Sequence, residues 1–115
     1  MSFTKEELNQ WEPIVRTFIE RSRPPEHLRS QVDLAYTIDD QNIIIFEIRP
    51  QWDDPETKVK NNVAKATWVR SQQVWKIYWQ KRDLKWHPYE PLPKVDSLET
   101  FIKEVDEDPN ACFLG

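Results

Sequence analysis

The stretch WKIYWQKRDLKWHPYE, residues 75–90, places five aromatic side chains, one histidine and four basic side chains in sixteen residues. Two strands that fold back at Asp83-Leu84 account for it, because side chains alternate between the faces of a sheet. Just upstream, VAKATWVRS reads as a further strand, joined through a two-residue turn at Gln72-Gln73. In that register Arg70 faces Trp75, Trp68 faces Ile77 and Thr67 faces Tyr78. Across the second turn, Lys81 faces Trp86, Gln80 faces His87 and Tyr78 faces Tyr89. One face then collects Trp68, Trp75, Ile77, Trp79 and Trp86, the expected core. The other collects Lys65, Lys76, Tyr78, Lys85, His87 and Tyr89, an expected basic and aromatic surface. A slip of one residue exchanges the two roles. Leu84 is also an unusual residue for a two-residue hairpin turn, which favours Asn or Gly.

Outward from this stretch the chain alternates between two periods. Thr4 with Glu7 forms a capping box, and Leu8, Trp11, Val15, Phe18 and Ile19 follow at helical spacing. A helix is expected from about Lys5 to Ser22, kinked or restarted near Glu12 by Pro13. QVDLAYTID and IIIFEIRP read as two strands around the turn DDQN, and QWDDPETK reads as a polar loop. KWHPYE makes a short fifth strand with Pro88 at an edge. EPLPKV reads as a linker. Asp96 with Glu99 suggests a second capping box, ahead of the stripe Leu98, Phe101, Ile102 and Val105. Pro109 ends that helix, and the tail NACFLG is expected to tuck Phe113 and Leu114 onto the body. The expected fold is α+β: one domain over residues 1–115, an antiparallel meander of about five strands, with the N-terminal and C-terminal helices packed on one face.

Composition excludes several chemistries. A chain of 115 residues fits one hydrophobic core. Its only glycine is Gly115, so it has neither a Walker loop nor a dinucleotide fingerprint. One cysteine, Cys112, and two histidines, His27 and His87, cannot supply a Cys/His zinc tetrad or an internal disulfide. No cofactor is expected. No apolar run reaches the roughly 20 residues of a membrane helix, and MSFTKEELNQ is too acidic for a signal peptide, so a cytoplasmic setting without membrane contact is expected. Charge is uneven. Residues 58–89 hold eight Lys and Arg against one acid, a net +7 inside a chain of net −4. A basic sheet in an acidic protein attracts an anionic ligand locally while repelling it globally.

The segments IFEIRP, VAKATWVRS, VWKIYWQKRDLKWHPYE and DEDPNACFLG resemble a bacterial family known as domain of unknown function 3024. That family has a Phe-Glu-x-Arg-Pro strand end, an Ala-Lys-Phe-Arg-Tyr-like strand, a Trp-x-Leu-Tyr-Trp…Trp-His-x-Tyr hairpin and an Asp-Pro…Phe-Trp-Gly tail. The likeness spans nearly the whole chain in the same order. It departs at the hairpin turn, typically Asp-Arg-Asn-Gly, where this chain has Lys81, Arg82, Asp83 and Leu84. It departs again at the tail Trp, which is Leu114 here. The resemblance implies a shared small domain and no particular chemistry.

Glu47 and Arg49 share a strand face, and with His87 they are the one candidate catalytic cluster: a carboxylate oriented by a guanidinium beside a group that titrates near neutrality. An ordinary ion pair at a strand end is the stronger reading for Glu47 and Arg49, because such pairs are common and need no ligand, and no positioned nucleophile is evident beside His87. Cys112 lies near the acidic EVDEDP helix end, which disfavours a thiolate. The acid run itself lacks the spacing of a calcium loop. Tyr78, Tyr89 and His87 with Lys65, Lys76 and Lys85 fit base stacking and phosphate neutralisation, but the RRM signature is missing. The leading expectation is therefore a non-enzymatic binding module using this face. Its candidate partners are an anionic ligand, a protein segment, a nucleic acid or a second copy in a homodimer.

Overall fold

The computed structural model describes residues 2–113. The first helix, α1 (Lys5–Ser22), begins as its sequence predicts. The Thr4 hydroxyl accepts from the Glu7 amide, and the Glu7 carboxylate accepts from the Thr4 amide. Pro13 lies inside α1 without ending it. The helix therefore runs from Lys5 to Ser22 without the restart near Glu12 that was one of the two outcomes expected of Pro13. A short 3-10 turn (Glu26–Leu28) leads to the sheet.

Six strands follow in chain order: β1 (Asp33–Asp39), β2 (Asn42–Gln51), β3 (Asp54–Val69), β4 (Val74–Gln80), β5 (Trp86–Pro88) and β6 (Lys94–Val95). The closing helix is α2 (Leu98–Glu107). All pairings are antiparallel in the order β1-β2-β3-β4-β5, and β6 shares the β4 edge with β5. The meander with one helix at each end is the α+β fold expected. Two details differ. The α2 cap is Ser97, which accepts from the Thr100 amide, and not Asp96. The supposed linker EPLPKV contributes β6, whose Val95 is buried.

Both helices lay their apolar stripes on one sheet face. Val15, Phe18 and Ile19 of α1 and Phe101, Ile102 and Val105 of α2 join Ile43, Ile45, Ala64, Ala66, Trp75 and Ile77 in a single core. Ala64 and Ala66 are fully buried, small residues that leave room for the neighbouring indoles. Trp11 packs on Trp68 at 4.6 Å and on Trp75 at 4.8 Å between ring centroids, and Phe3 closes the cluster. Such aromatic pairs add roughly 0.5–1.5 kcal/mol each beyond simple burial. Phe113 is buried against Tyr89, as the tail reading expected. Leu114 lies outside the described residues.

The hairpin turns decide which side chains meet. Between β3 and β4 the loop has four residues, and Trp68 pairs with Trp75 and Lys65 with Tyr78. This departs by two positions from a Gln72-Gln73 turn, so every side chain keeps its predicted face. Between β4 and β5 the departure is one position. The Leu84 amide donates to the Lys81 carbonyl at 2.9 Å, the Lys81 amide donates to the Lys85 carbonyl at 3.3 Å, and Leu84 has φ 63°. A three-residue loop, residues 82–84, replaces the expected two-residue turn. Gln80 therefore pairs with Trp86 and Trp79 with His87, and β5 turns over.

The segment expected as a loop, QWDDPETK, is part of a long hairpin instead. Gln51 pairs with Asp54 around the tip Trp52-Asp53, and β3 runs sixteen residues. Residues 52–62 are all exposed. β4 pairs β3 only from Ala64 onward, so residues 54–62 have β2 as their single partner strand. This arm lengthens the molecule to 45 Å against 29 and 26 Å in the other directions.

Candidate functional site

Strand alternation places Ile44, Phe46 and Ile48 of β2, Lys65 and Thr67 of β3, Lys76, Tyr78 and Gln80 of β4 and Trp86 of β5 on the face away from the helices. None of them belongs to the core cluster. All are partly exposed except Phe46, which is buried with the Lys60 ammonium 4.7 Å from its ring centre.

Lys65 is the centre of this face. Its ammonium sits 4.9 Å from the Tyr78 ring centre and 5.0 Å from that of Trp86. Aromatic faces attract cations through their quadrupole by about 0.5–2 kcal/mol. Burial pushes the Lys65 pKa below its ordinary value. Among the described residues Lys60, Lys65 and Lys76 make no ion pair. Lys60 and Lys65 thus lie against rings, Lys76 is placed by strand geometry alone, and among the described residues none of the three has a carboxylate within ion-pair distance.

Three residues expected on this face lie elsewhere. Tyr89 is fully buried, because the turned-over β5 carries it beneath the sheet. Its hydroxyl donates to Glu104 of α2 at 2.7 Å and accepts from Asn110 at 2.8 Å. Burial, with Glu104 beside it, pushes the Tyr89 pKa up to about 12, so the phenol remains a donor across the neutral range. His87 lies on the Trp79 side of the strand and bonds Asp83 at 2.9 Å. Lys85 stands between the loop and β5, its amide donating to Asp83. That amide, then the His87 ring, hold the Asp83 carboxyl below its ordinary value. Trp86, expected in the core, takes the vacated place on the outer face. The sign that would have placed it is the left-handed backbone at Leu84, the position where the resembling motif carries glycine.

The Glu47, Arg49 and His87 cluster does not assemble. Glu47 and Arg49 pair with each other at 2.9 Å. β2 and β5 are separated by three strand spacings, about 14 Å, and His87 is engaged with Asp83. A sheltered carboxylate does exist at the other end of the molecule. Glu7 receives both Arg70 nitrogens, at 2.7 and 3.1 Å, and the Trp68 indole N–H at 3.0 Å. Arg70 is the main reason its pKa falls to about 2. Every Glu7 oxygen is engaged, and the group ties the start of α1 to the β3–β4 hairpin. Cys112 is partly buried, and burial with Asp108 nearby pushes its thiol pKa up. Among the described residues no group of His, Cys, Asp and Glu is arranged to hold a metal ion. Among the described residues no helix is long and apolar enough to cross a membrane.

This framework of sheet, two helices and pinned tail carries the residues of the hairpin and tail motifs. A family model described as Domain of unknown function (DUF3024) matches residues 3–115, and the chain belongs to that family. No curated protein and no solved structure gives a significant match. The family motif residues have clear structural tasks here. Trp75 is in the core, Tyr89 locks α2 and the tail to the sheet, and Asp108 accepts from the Phe113 amide at 3.1 Å.

Proposed function

We propose that the protein is a non-catalytic binding module that captures an acidic protein segment on the outer face of β2–β5. The observation that carries this reading is Lys65, its ammonium held between the Tyr78 and Trp86 rings with no carboxylate partner. Lys60 and Lys76 extend the positive charge across the face, and Ile44, Ile48 and Trp86 supply apolar surface around it. An incoming carboxylate gains a charge-assisted bond without displacing a resident one.

A nucleic-acid strand is the less favoured partner. Lys65 already lies against the rings on which a base would stack, and the chain as a whole is acidic, with net charge −4. A single cysteine and the resemblance to a bacterial family support a place in the bacterial cytoplasm.

Titration of a peptide rich in Asp and Trp, followed by tryptophan fluorescence at low salt, tests the reading. Binding is expected to weaken with salt and to be lost in Lys65→Glu/Lys76→Glu. Oligothymidylate is the control ligand. An interaction with the oligonucleotide alone, or none with either ligand at tens of micromolar, would overturn the assignment.

A further inference from the structure

We propose that the acidic segment is the chain's own hairpin tip, delivered by a second copy, so that two chains exchange arms across a two-fold axis. This deepens the reading of the outer face and rests on it. The first observation is Trp52. It is 93% exposed at the very tip of the arm, where its indole contributes nothing to the core. Tryptophan is the residue type most enriched among interface anchors. The second observation is its surroundings. Asp53, Asp54 and Glu56 flank it, and none of them makes an ion pair among the described residues. Asp53 accepts only from Gln51, and Asp54 from the Glu56 amide and the Thr57 hydroxyl. The tip is thus an indole in an acidic collar. The outer face is an aromatic surface with uncompensated ammonium groups. One chain carries both halves of a complementary pair, which is what an isologous two-fold contact requires.

The dimensions agree. Five residue steps separate Phe46 from Gln51, about 17 Å at strand rise. Lys65 is one strand spacing from β2 and Trp86 three, about 5 and 14 Å. Two arms lying antiparallel about an axis near their middle bring each tip to the base of the other, at the level of Phe46 and Lys60. The tip does not dock on its own chain, because Trp52 stays 93% exposed there. The eleven exposed residues 52–62, together with the open face, approach the roughly 20 residues a side of a stable interface. Pro55, Lys58 and Lys60 on the free β3 edge discourage open-ended strand addition, which favours a closed pair over a filament.

A charge swap tests the proposal. Sedimentation of the full chain at 10 µM to 1 mM is expected to show a species of twice the 13.9 kDa chain mass, weakening with salt. Asp53→Lys/Asp54→Lys reverses the tip, and Lys60→Glu/Lys65→Glu reverses the part of the face the tip meets. Each variant alone is expected to be monomeric. Their mixture restores both contacts, since a basic tip meets an acidic face and an acidic tip meets a basic face, and it is expected to recover the dimer. Trp52→Ser, at a fully solvated position, is the check that loss of dimer does not come from misfolding, with circular dichroism unchanged. A wild-type monomer at 1 mM, variants that still dimerise, or a mixture that stays monomeric would each overturn the proposal. A monomer that nevertheless binds the acidic peptide through Lys65 and Lys76 would overturn the arm exchange and leave the outer-face reading intact.

Discussion

Residues 63–69 and residues 54–62 belong to one strand, yet they live in different environments. The first run lies between β2 and β4 and beneath the helices, and Val63, Ala64, Ala66 and Trp68 are buried. The second has only β2 beside it, and every residue in it is exposed. Backbone pairing to β2 extends across both, interrupted by a bulge near Val63 and by a second irregularity near the tip, between the Pro50–Lys58 and Gln51–Asp54 pairs. Strand formation in this chain therefore does not depend on a buried face, whereas side-chain packing does. The inner half should supply stability and the outer half should be free to serve a partner. Tryptophan occurs on both sides of that divide, which makes it a natural probe.

The largest effect expected is at Trp75, 1% exposed and in contact with Phe3, Trp11 and Trp68. Trp75→Ala should cost about 3–5 kcal/mol, because a large cavity opens among rings that cannot all collapse into it. Urea unfolding measures it. A cost below about 1 kcal/mol would mean that the inner half is not the packed half.

Next comes the pH dependence that Glu7 confers. Its carboxyl has a pKa of about 2 in the folded protein against 4.5 as the ordinary value, with Arg70 as the main cause. A depressed carboxyl contributes stability that is complete above the ordinary value and is lost as pH falls toward the folded one. Between pH 5 and 2 the wild type should therefore lose more stability than Glu7→Gln, by on the order of 1–2 kcal/mol once solvent screening is allowed for. Parallel unfolding curves for the two proteins across that window would show that the Glu7–Arg70 contact does not bind α1 to the hairpin. Asp33 and Asp83 also have lowered values, but they are present in both proteins and cancel in the comparison.

A smaller effect, and of opposite sign, is expected at Leu84. Its φ of 63° is a left-handed conformation that costs a residue with a Cβ about 1 kcal/mol, and its side chain is 77% exposed. Leu84→Gly should raise stability by up to about 1 kcal/mol, less whatever glycine adds to the freedom of the unfolded chain. A loss of stability would mean that the Leu84 side chain makes a contact its exposure does not suggest.

The same residue explains what the sequence concealed. Helical spacing and the Thr4–Glu7 box made α1 legible, and the Leu98, Phe101, Ile102 and Val105 stripe did so for α2, although adjacent Asp96 and Ser97 are both good caps and the wrong one was favoured. Alternation located the body strands. It failed at residues 54–58, where polar side chains on both faces give a strand no period to display, and at β6, which is two residues long and follows a proline. The make-up of the outer face depended on the parity of two loops. The β3–β4 loop differed from the expected turn by an even count, which costs nothing. The β4–β5 loop differed by an odd count, and its usual marker, a glycine in the left-handed position, is replaced here by leucine. Lys65, Lys76 and Tyr78 survived on the outer face because they precede that loop. Lys85, His87, Tyr89 and Trp86 changed places because they lie within it or beyond it.

The smallest effect expected on the isolated chain is at Trp52, and it tests the comparison most directly. The residue type is that of Trp75, but the indole is 93% exposed. Trp52→Ser removes no buried area, so at micromolar concentration its unfolding free energy should lie within about 0.5 kcal/mol of wild type. A loss above about 1 kcal/mol there would show the tip packed against its own chain and would erase the distinction between the halves of β3. Raising the concentration should separate the two proteins. If the arm docks on a second copy, mass action stabilises the wild type by an amount that grows with the logarithm of concentration, and the variant lacks this gain. The residue would then be neutral to folding and decisive for assembly, a combination that an exposed indole at a hairpin tip can deliver and a core indole cannot.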